Sequence, residues 1–254
     1  MFFIDIQGTL IDDLEKKPID GAIEFIDILN QKKIPYVLVT NNSKQRSVEL
    51  IAYLNSIGFE IDKKQYIDPL MLLSEYLVNK NILAFGSGDF LEVLSESGFN
   101  LDSDTPKSVV IGIKKDFNNE DFAKMIEALL NGAELIGMHQ NPIYAKDKKR
   151  YPGIGSILEM LKFSTSREYT VIGKPSLEFY SKAKDILGAK SFSEITMISD
   201  DVKGDLVGAK SFGMKTIFVL SGKYRTKDEV LPLLKSETLP DFTFDSIKEA
   251  IELI

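Results

Sequence analysis

The sequence predicts an α/β protein, a doubly wound parallel sheet interrupted by a second, inserted α/β unit. Three observations predict it. Apolar runs of strand length alternate with helical periodicities from the first residues onward. Polar and charged residues recur just past the ends of those runs, and from Asn81 the alternation restarts with a different texture. Near-continuous apolar strands need cover on both faces, which a parallel sheet flanked by helices provides.

Composition narrows the chemistry. A chain of 254 residues is long enough for two domains. The net charge of -7 argues against nonspecific nucleic-acid or anionic-membrane binding, and no apolar run has bilayer length. The first strand begins at Phe2 with no basic segment or cleavage site before it, so a cytoplasmic location is expected. With no cysteine, disulfides, thiolate catalysis and cysteine-ligated zinc are excluded. The single histidine, His139, leaves no two-histidine metal site and makes a serine triad hard to build. Carboxylate, lysine, hydroxyl and hard-cation chemistry remain.

The elements follow in order. Phe2 to Leu10 reads as a buried strand with a carboxylate, Asp5, at its end and Gly8-Thr9 as the turn. Pro18 to Lys33 is a helix with Ile23, Ile26 and Leu29 on one face, and Pro35 to Thr40 is the next strand. Its polar end, Thr40 to Ser43, can cap a helix carrying Val48, Ile51 and Leu54 that stops at Gly58. A short strand near Gln65–Ile67 and a helix with Leu70, Leu73 and Leu77 come next. Then Asn81–Gly86, Ser108–Ile113 and Glu134–Met138 form strands of a second series, separated by helices through Phe90–Leu94 and Asn119–Asn131. The lysine-rich stretch from Ile143 to Tyr151 reads as an exposed ribbon or loop, and Pro152 opens a helix to about Phe163. The first series is expected to resume with strands at Tyr169–Gly173, Glu194–Ser199, Lys215–Leu220 and Asp241–Phe244. The boundaries that follow are 1–79 and 167–254 for the core and 80–166 for the inserted unit.

Ligands of open parallel sheets bind beyond the carboxyl ends of the strands. Asp5, Thr40, Asn41, Lys174, Asp200 and Asp205 lie there, a set suited to a magnesium ion and a phosphate. Each alone has a structural explanation: Asp5 as a turn cap, Thr40–Ser43 as a helix cap, Lys174 as a solvated lysine, Asp200 and Asp201 as an acidic helix start. Their recurrence at successive strand tips is what favours a site.

Four segments carry a resemblance. Asp5-Ile6-Gln7-Gly8-Thr9, Thr40-Asn41-Asn42, Lys174-Pro175 and Ser199-Asp200-Asp201 through Asp205 resemble, in order, the four motifs of the haloacid dehalogenase superfamily. The large insertion between the second and third is similar to its nitrophenyl-phosphatase-like branch. Ile172-Gly-Lys-Pro-Ser176 and Met197-Ile-Ser-Asp-Asp201 further resemble the phospholysine phosphohistidine inorganic pyrophosphate phosphatase group. The resemblance implies a Rossmann-like hydrolase core with an inserted cap domain and a Mg2+-dependent phosphatase. Asp5 would attack phosphorus, and Asp5, Asp200 and the main-chain carbonyl of Gln7 would hold the metal. Thr40 and Lys174 would hold the transferring oxygens, with Asn41 and Asn42 binding substrate and Asp205 orienting Lys174 or a metal-bound water. The implied partner is a small phosphorylated substrate or a phosphorylated protein side chain, not nucleic acid or membrane; homodimer contacts through the cap are a further implication.

Gln7 departs from the pattern. The superfamily's hydrolases usually place there an aspartate that protonates the leaving group and then activates water, and an amide cannot shuttle a proton at neutral pH. General acid–base catalysis contributes ~10²–10⁴ in rate. The expectation is therefore a phosphatase restricted to reactive donors: phosphoramidate, pyrophosphate, aryl or acyl phosphate. The rival reading is a non-hydrolytic phosphate-binding or stably phosphorylated regulatory protein of the same fold. A dinucleotide oxidoreductase is disfavoured, since no Gly-x-Gly-x-x-Gly follows the first strand. In the cap, His139 lies near Gln140, Asn141 and Lys146, where relatives face the substrate, although a lone histidine is more often simply hydrogen-bonded. Lys146, Lys148, Lys149 and Arg150 read as a solvated face that could steer anions.

Overall fold

The structure is a computed structural model that describes residues 1–146 and 149–254. The chain opens with β1 (Phe2–Ile4), α1 (Ala22–Gln31), β2 (Tyr36–Val39), α2 (Ser47–Ser56) and β3 (Tyr66–Ile67). Next come α3 (Pro69–Tyr76), β4 (Ile82–Phe85), α4 (Gly88–Glu96), β5 (Ser108–Ile111), α5 (Asn119–Leu130) and β6 (Glu134–Gly137). β7 (Ile143–Lys146), β8 (Lys149–Pro152), α6 (Ile154–Thr165), β9 (Tyr169–Val171) and α7 (Leu177–Leu187) follow. The chain closes with β10 (Thr196–Ser199), α8 (Val207–Ser211), β11 (Lys215–Val219) and β12 (Phe242–Phe244).

Two compact units result, one of residues Met1–Thr40, Val48–Ile67 and Tyr180–Ile254, the other of Asn41–Ser47 and Asp68–Phe179. In the first, six parallel strands are ordered β12-β11-β10-β1-β2-β3. β1 and β2 are buried along their whole length, which is why Phe2-Phe-Ile and Tyr36-Val-Leu-Val read as continuous apolar runs rather than alternating ones. One face packs Ile4, Leu38, Ile198 and Ile217 against Phe25, Ile26 and Leu29 of α1. On β1, Phe3 stacks on Tyr180 with ring centroids 5.9 Å apart. Because β1 sits between β10 and β2, in register Ile4↔Ile198 and Ile4↔Leu38, the residues that follow these three strands emerge side by side.

The second unit has its own parallel sheet, β4-β5-β6-β9, its own apolar core and the antiparallel hairpin β7–β8. The lysine-rich stretch expected as an exposed ribbon is this hairpin, pairing Ile143 with Pro152; Lys148 lies outside the described residues. Among the described residues no helix is long and apolar enough to cross a membrane.

Two local expectations are corrected. Tyr169–Val171 does not resume the first sheet; it pairs with β6 as an edge strand of the second. A short apolar strand leading into a helix looks alike in either series, and which sheet it joins is decided by tertiary pairing, not local periodicity. On α2, Val48 is 67% exposed and Leu50 is buried in its place with Ile51 and Leu54, so the inward face is rotated from the one expected.

Phe3, in the middle of β1, is fully buried. Phe3→Ala should destabilise the protein by about 3–5 kcal/mol, and Phe3→Leu by less than about 1.5 kcal/mol, both read from urea denaturation.

Candidate active site

Three adjoining strand tips of the first unit, those of β10, β1 and β2, each deliver a polar residue to the same edge. Asp5 follows β1 and is 7% exposed; Asp200 follows β10 and is 5% exposed; Thr40 follows β2 and is buried. The Asp5 N–H donates to the Ile198 carbonyl at 2.9 Å, extending the β1–β10 ladder by one residue. Asp5 and Asp200 are thereby set on neighbouring tips as two buried carboxylates.

The turn after β1 shapes what lies beneath them. The N–H groups of Thr9, Leu10 and Ile11 all donate to the Ile6 carbonyl, at 3.4, 2.9 and 3.0 Å, and Gly8 N–H donates to Ile11 at 2.8 Å. This winding requires φ +77° at Gly8, and a Cβ there would lie 2.2 Å from Asp200 Oδ2. Glycine is needed twice over, for the turn and for the approach of Asp200. The Thr9 hydroxyl accepts from the Asp200 N–H at 3.2 Å, and the Lys223 N–H donates to Asp200 Oδ2 at 2.6 Å. Burial first, and the Asp5 carboxylate second, push the Asp200 carboxyl up to about 8, and the Lys223 N–H partly offsets them.

Asp205 is also buried; its Oδ2 accepts from the Ser199 hydroxyl at 2.7 Å, and its main-chain carbonyl from Tyr180 OH at 3.3 Å. Burial, then Asp205 and Asp5, hold the Tyr180 phenol well above its usual value, so it remains a donor. Gln7 is exposed on the turn.

The remaining expected site residues lie in the second unit. Asn41 and Lys174 form a reciprocal pair: Lys174 N–H donates to Asn41 Oδ1 at 2.8 Å, and Asn41 Nδ2 donates to the Lys174 carbonyl at 3.2 Å. A Cβ on Gly173 would sit 2.5 Å from Asn41 Oδ1, so the glycine admits this pairing. Lys174 is buried and is followed by a cis peptide bond to Pro175. Asn42 builds its own loop, its Nδ2 donating to the Gln45 carbonyl at 2.6 Å and its Oδ1 accepting from the N–H groups of Lys44 and Gln45. His139 is buried, and its Nδ1 accepts from the Asn141 N–H at 3.3 Å, which places the ring proton on Nε2. Burial, aided by Lys44, lowers its pKa to about 4, so it is neutral at pH 7.

The sequence assigns no role to the hydroxyls of Thr9 and Ser199, and the loop Ser221-Gly222-Lys223 carries no motif. The signal for the loop is its position: it follows β11, just past a strand tip of the same sheet.

Comparisons with known proteins identify the family. A sequence model described as haloacid dehalogenase-like hydrolase matches residues 2–100, and a second, HAD-hydrolase-like, matches 171–250. The chain belongs to the haloacid dehalogenase-like hydrolases. The p-nitrophenyl phosphatase from Archaeoglobus fulgidus superposes with a TM-score of 0.86 at 26% identity, over 100% of this chain and 98% of that one. The 4-nitrophenylphosphatase from Thermotoga maritima shares the fold, with a TM-score of 0.83 at 24% identity over 99% and 95% of the two chains. An acid sugar phosphatase of Staphylococcus epidermidis is 28% identical over 98% of this chain and 96% of its own. Within the hydrolase family, the chain falls in the nitrophenyl-phosphatase-like branch with an inserted α/β cap.

The neutral His139 has a consequence for stability. Its pKa is lowered in the fold, so protonation opposes folding: its full contribution holds above about pH 6.5 and is lost as pH falls toward 4, by ~3 kcal/mol in total. Urea denaturation of the wild type and His139→Gln at pH 7 and pH 4.5 should show a steeper acid loss in the wild type.

Proposed function

We propose that this hydrolase is a magnesium-dependent phosphatase that works through an aspartyl-phosphate on Asp5 and acts on reactive phosphoryl donors. The observation that carries the reading is the placement of Asp200, Asp5 and Thr40 on three adjoining strand tips, with two carboxylates buried together. Such a pair is costly as two bare anions and calls for a cation.

The donor set fits a hard cation. Asp200 Oδ1 accepts no hydrogen bond among the described residues, since only Oδ2 is engaged by Lys223. No group of three or more acidic or histidine side chains among the described residues forms a cage by itself. The set that the family resemblance implies, the Asp5 and Asp200 carboxylates with the Gln7 main-chain carbonyl, would hold the ion. When bound, magnesium supplies positive charge beside the transferring phosphoryl group.

The chain's own residues account for the steps. The Asp5 carboxylate attacks phosphorus, forming the Asp5–phosphate bond as the bond to the leaving oxygen or nitrogen breaks. The Thr40 hydroxyl donates to a phosphoryl oxygen, and Lys174 is assigned the ammonium that balances the phosphate charge. Water then attacks the aspartyl-phosphate and releases phosphate, regenerating Asp5. Gln7 offers no proton at the leaving atom, so the leaving group departs as a stable anion or with its own proton. Aryl and acyl phosphates, pyrophosphate and phosphoramidates meet that condition.

The similarity to acid sugar phosphatases over nearly the whole chain favours a second reading, in which alkyl phosphates of sugars are hydrolysed despite Gln7. One comparison separates the two. With magnesium present, p-nitrophenyl phosphate and pyrophosphate should turn over ~10²–10⁴ faster than a sugar phosphate, and Gln7→Asp should raise the sugar phosphate rate selectively. Similar rates on all three that Gln7→Asp leaves unchanged would reject the restriction to reactive donors.

A further inference from the structure

The loop after β11 reaches the candidate site through one residue that holds two. Lys223 N–H donates to Asp200 Oδ2 at 2.6 Å, while its ammonium donates to Asp201 Oδ2 at 2.8 Å. Main chain and side chain thus grip consecutive aspartates. Ser221 Oγ donates to the Gly8 carbonyl at 2.6 Å, tying the same loop to the turn after β1. Between them, a Cβ on Gly222 would lie 2.1 Å from Asp200 Oδ2 and 2.5 Å from Gly8 Cα, so Oδ2 is walled in by backbone on two sides. Asp201 is itself anchored: its Oδ1 accepts from Gly204 N–H at 2.9 Å, and its carbonyl accepts from Asp205 N–H at 2.9 Å.

We propose that Lys223 is a positioning residue that clamps the Asp200 carboxylate with Oδ2 turned into the protein and Oδ1 left as the oxygen offered to a divalent cation. The inference rests on the cation reading above and deepens it. It also differs in sign from the obvious alternative. An ammonium acting only as a nearby charge repels a divalent cation, so removing it would tighten binding. A clamp does the reverse: removing it frees the carboxylate to rotate, and binding weakens.

Magnitudes follow from exposure. The Lys223 side chain is 48% exposed and that of Asp201 19%, so severing the ion pair should cost about two- to fivefold in affinity. Gly222→Ala drives a methyl group into Oδ2 and should cost about tenfold or more.

The test is a magnesium chloride titration without phosphorylated substrate, reading the midpoint of the metal-induced thermal shift. It compares the wild type with Lys223→Met, Lys223→Arg, Gly222→Ala and Asp200→Asn. The clamp predicts a midpoint about two- to fivefold higher in Lys223→Met, largely restored in Lys223→Arg, and about tenfold or more higher in Gly222→Ala. An unchanged or lower midpoint in Lys223→Met overturns the clamp, as does a lower metal-free melting temperature without a midpoint shift. If Asp200→Asn abolishes the magnesium response while Lys223→Met leaves it as in the wild type, the clamp alone fails. If the wild type does not respond, or Asp200→Asn responds as the wild type does, the cation reading fails and the clamp with it.

Discussion

The like-charge repulsion between Asp5 and Asp200 is the constraint on which the rest of this site depends. Two carboxylates on neighbouring tips of a parallel sheet, each nearly removed from solvent, repel one another and have lost much of their hydration. The protein meets this with fixed backbone donors and hydroxyls: Thr9 and Lys223 hold Asp200 at its N–H and at Oδ2, and Ser199 satisfies Asp205. These groups are uncharged, and the Lys223 ammonium is spent on Asp201, so they fix geometry without supplying a counter-charge to Asp5 and Asp200. On the proposed reading the same fixed geometry would receive a cation with little rearrangement of its donors.

Glycine makes the approach possible. Gly8 and Gly222 both present bare backbone to Oδ2 of the Asp200 carboxylate, and a single methyl on either would occupy its space. In the second unit, Gly173 admits the Asn41 side chain to the main chain of Lys174. Asparagine at position 41 therefore spends hydrogen bonds on bracing the backbone that carries Lys174, and Asn42 spends its own on the loop that contains it. Residues that look like substrate contacts in a motif can have their polar atoms committed to holding the motif in place.

Much of this was legible in the sequence, for identifiable reasons. Continuous apolar runs such as Tyr36–Val39 announced buried parallel strands, and their polar successors announced the edge where Asp5, Thr40 and Asp200 gather. What escaped depended on tertiary choices. Tyr169–Val171 joined the second sheet because strand pairing, not periodicity, selects a sheet. Val48 turned outward because the inward face of α2 is set by what it packs against. The role of Ser221–Lys223 depends on contacts with residues more than twenty positions away, which no local pattern displays.

Gln7 gives the site its chemical character. If Asp5 is the nucleophile, as proposed, no proton shuttle stands two residues from it, and rate must come from positioning, charge balance and the reactivity of the donor itself. Everything in this account passes through covalent phosphorylation of Asp5. The most direct measurement is to quench the protein during turnover of p-nitrophenyl phosphate, reduce with borohydride and map the modified peptide by mass spectrometry. A covalent aspartyl-phosphate predicts conversion of Asp5 to homoserine in the wild type and none in Asp5→Asn; steady phosphate release with Asp5 unmodified, or modification at another carboxylate, would contradict it.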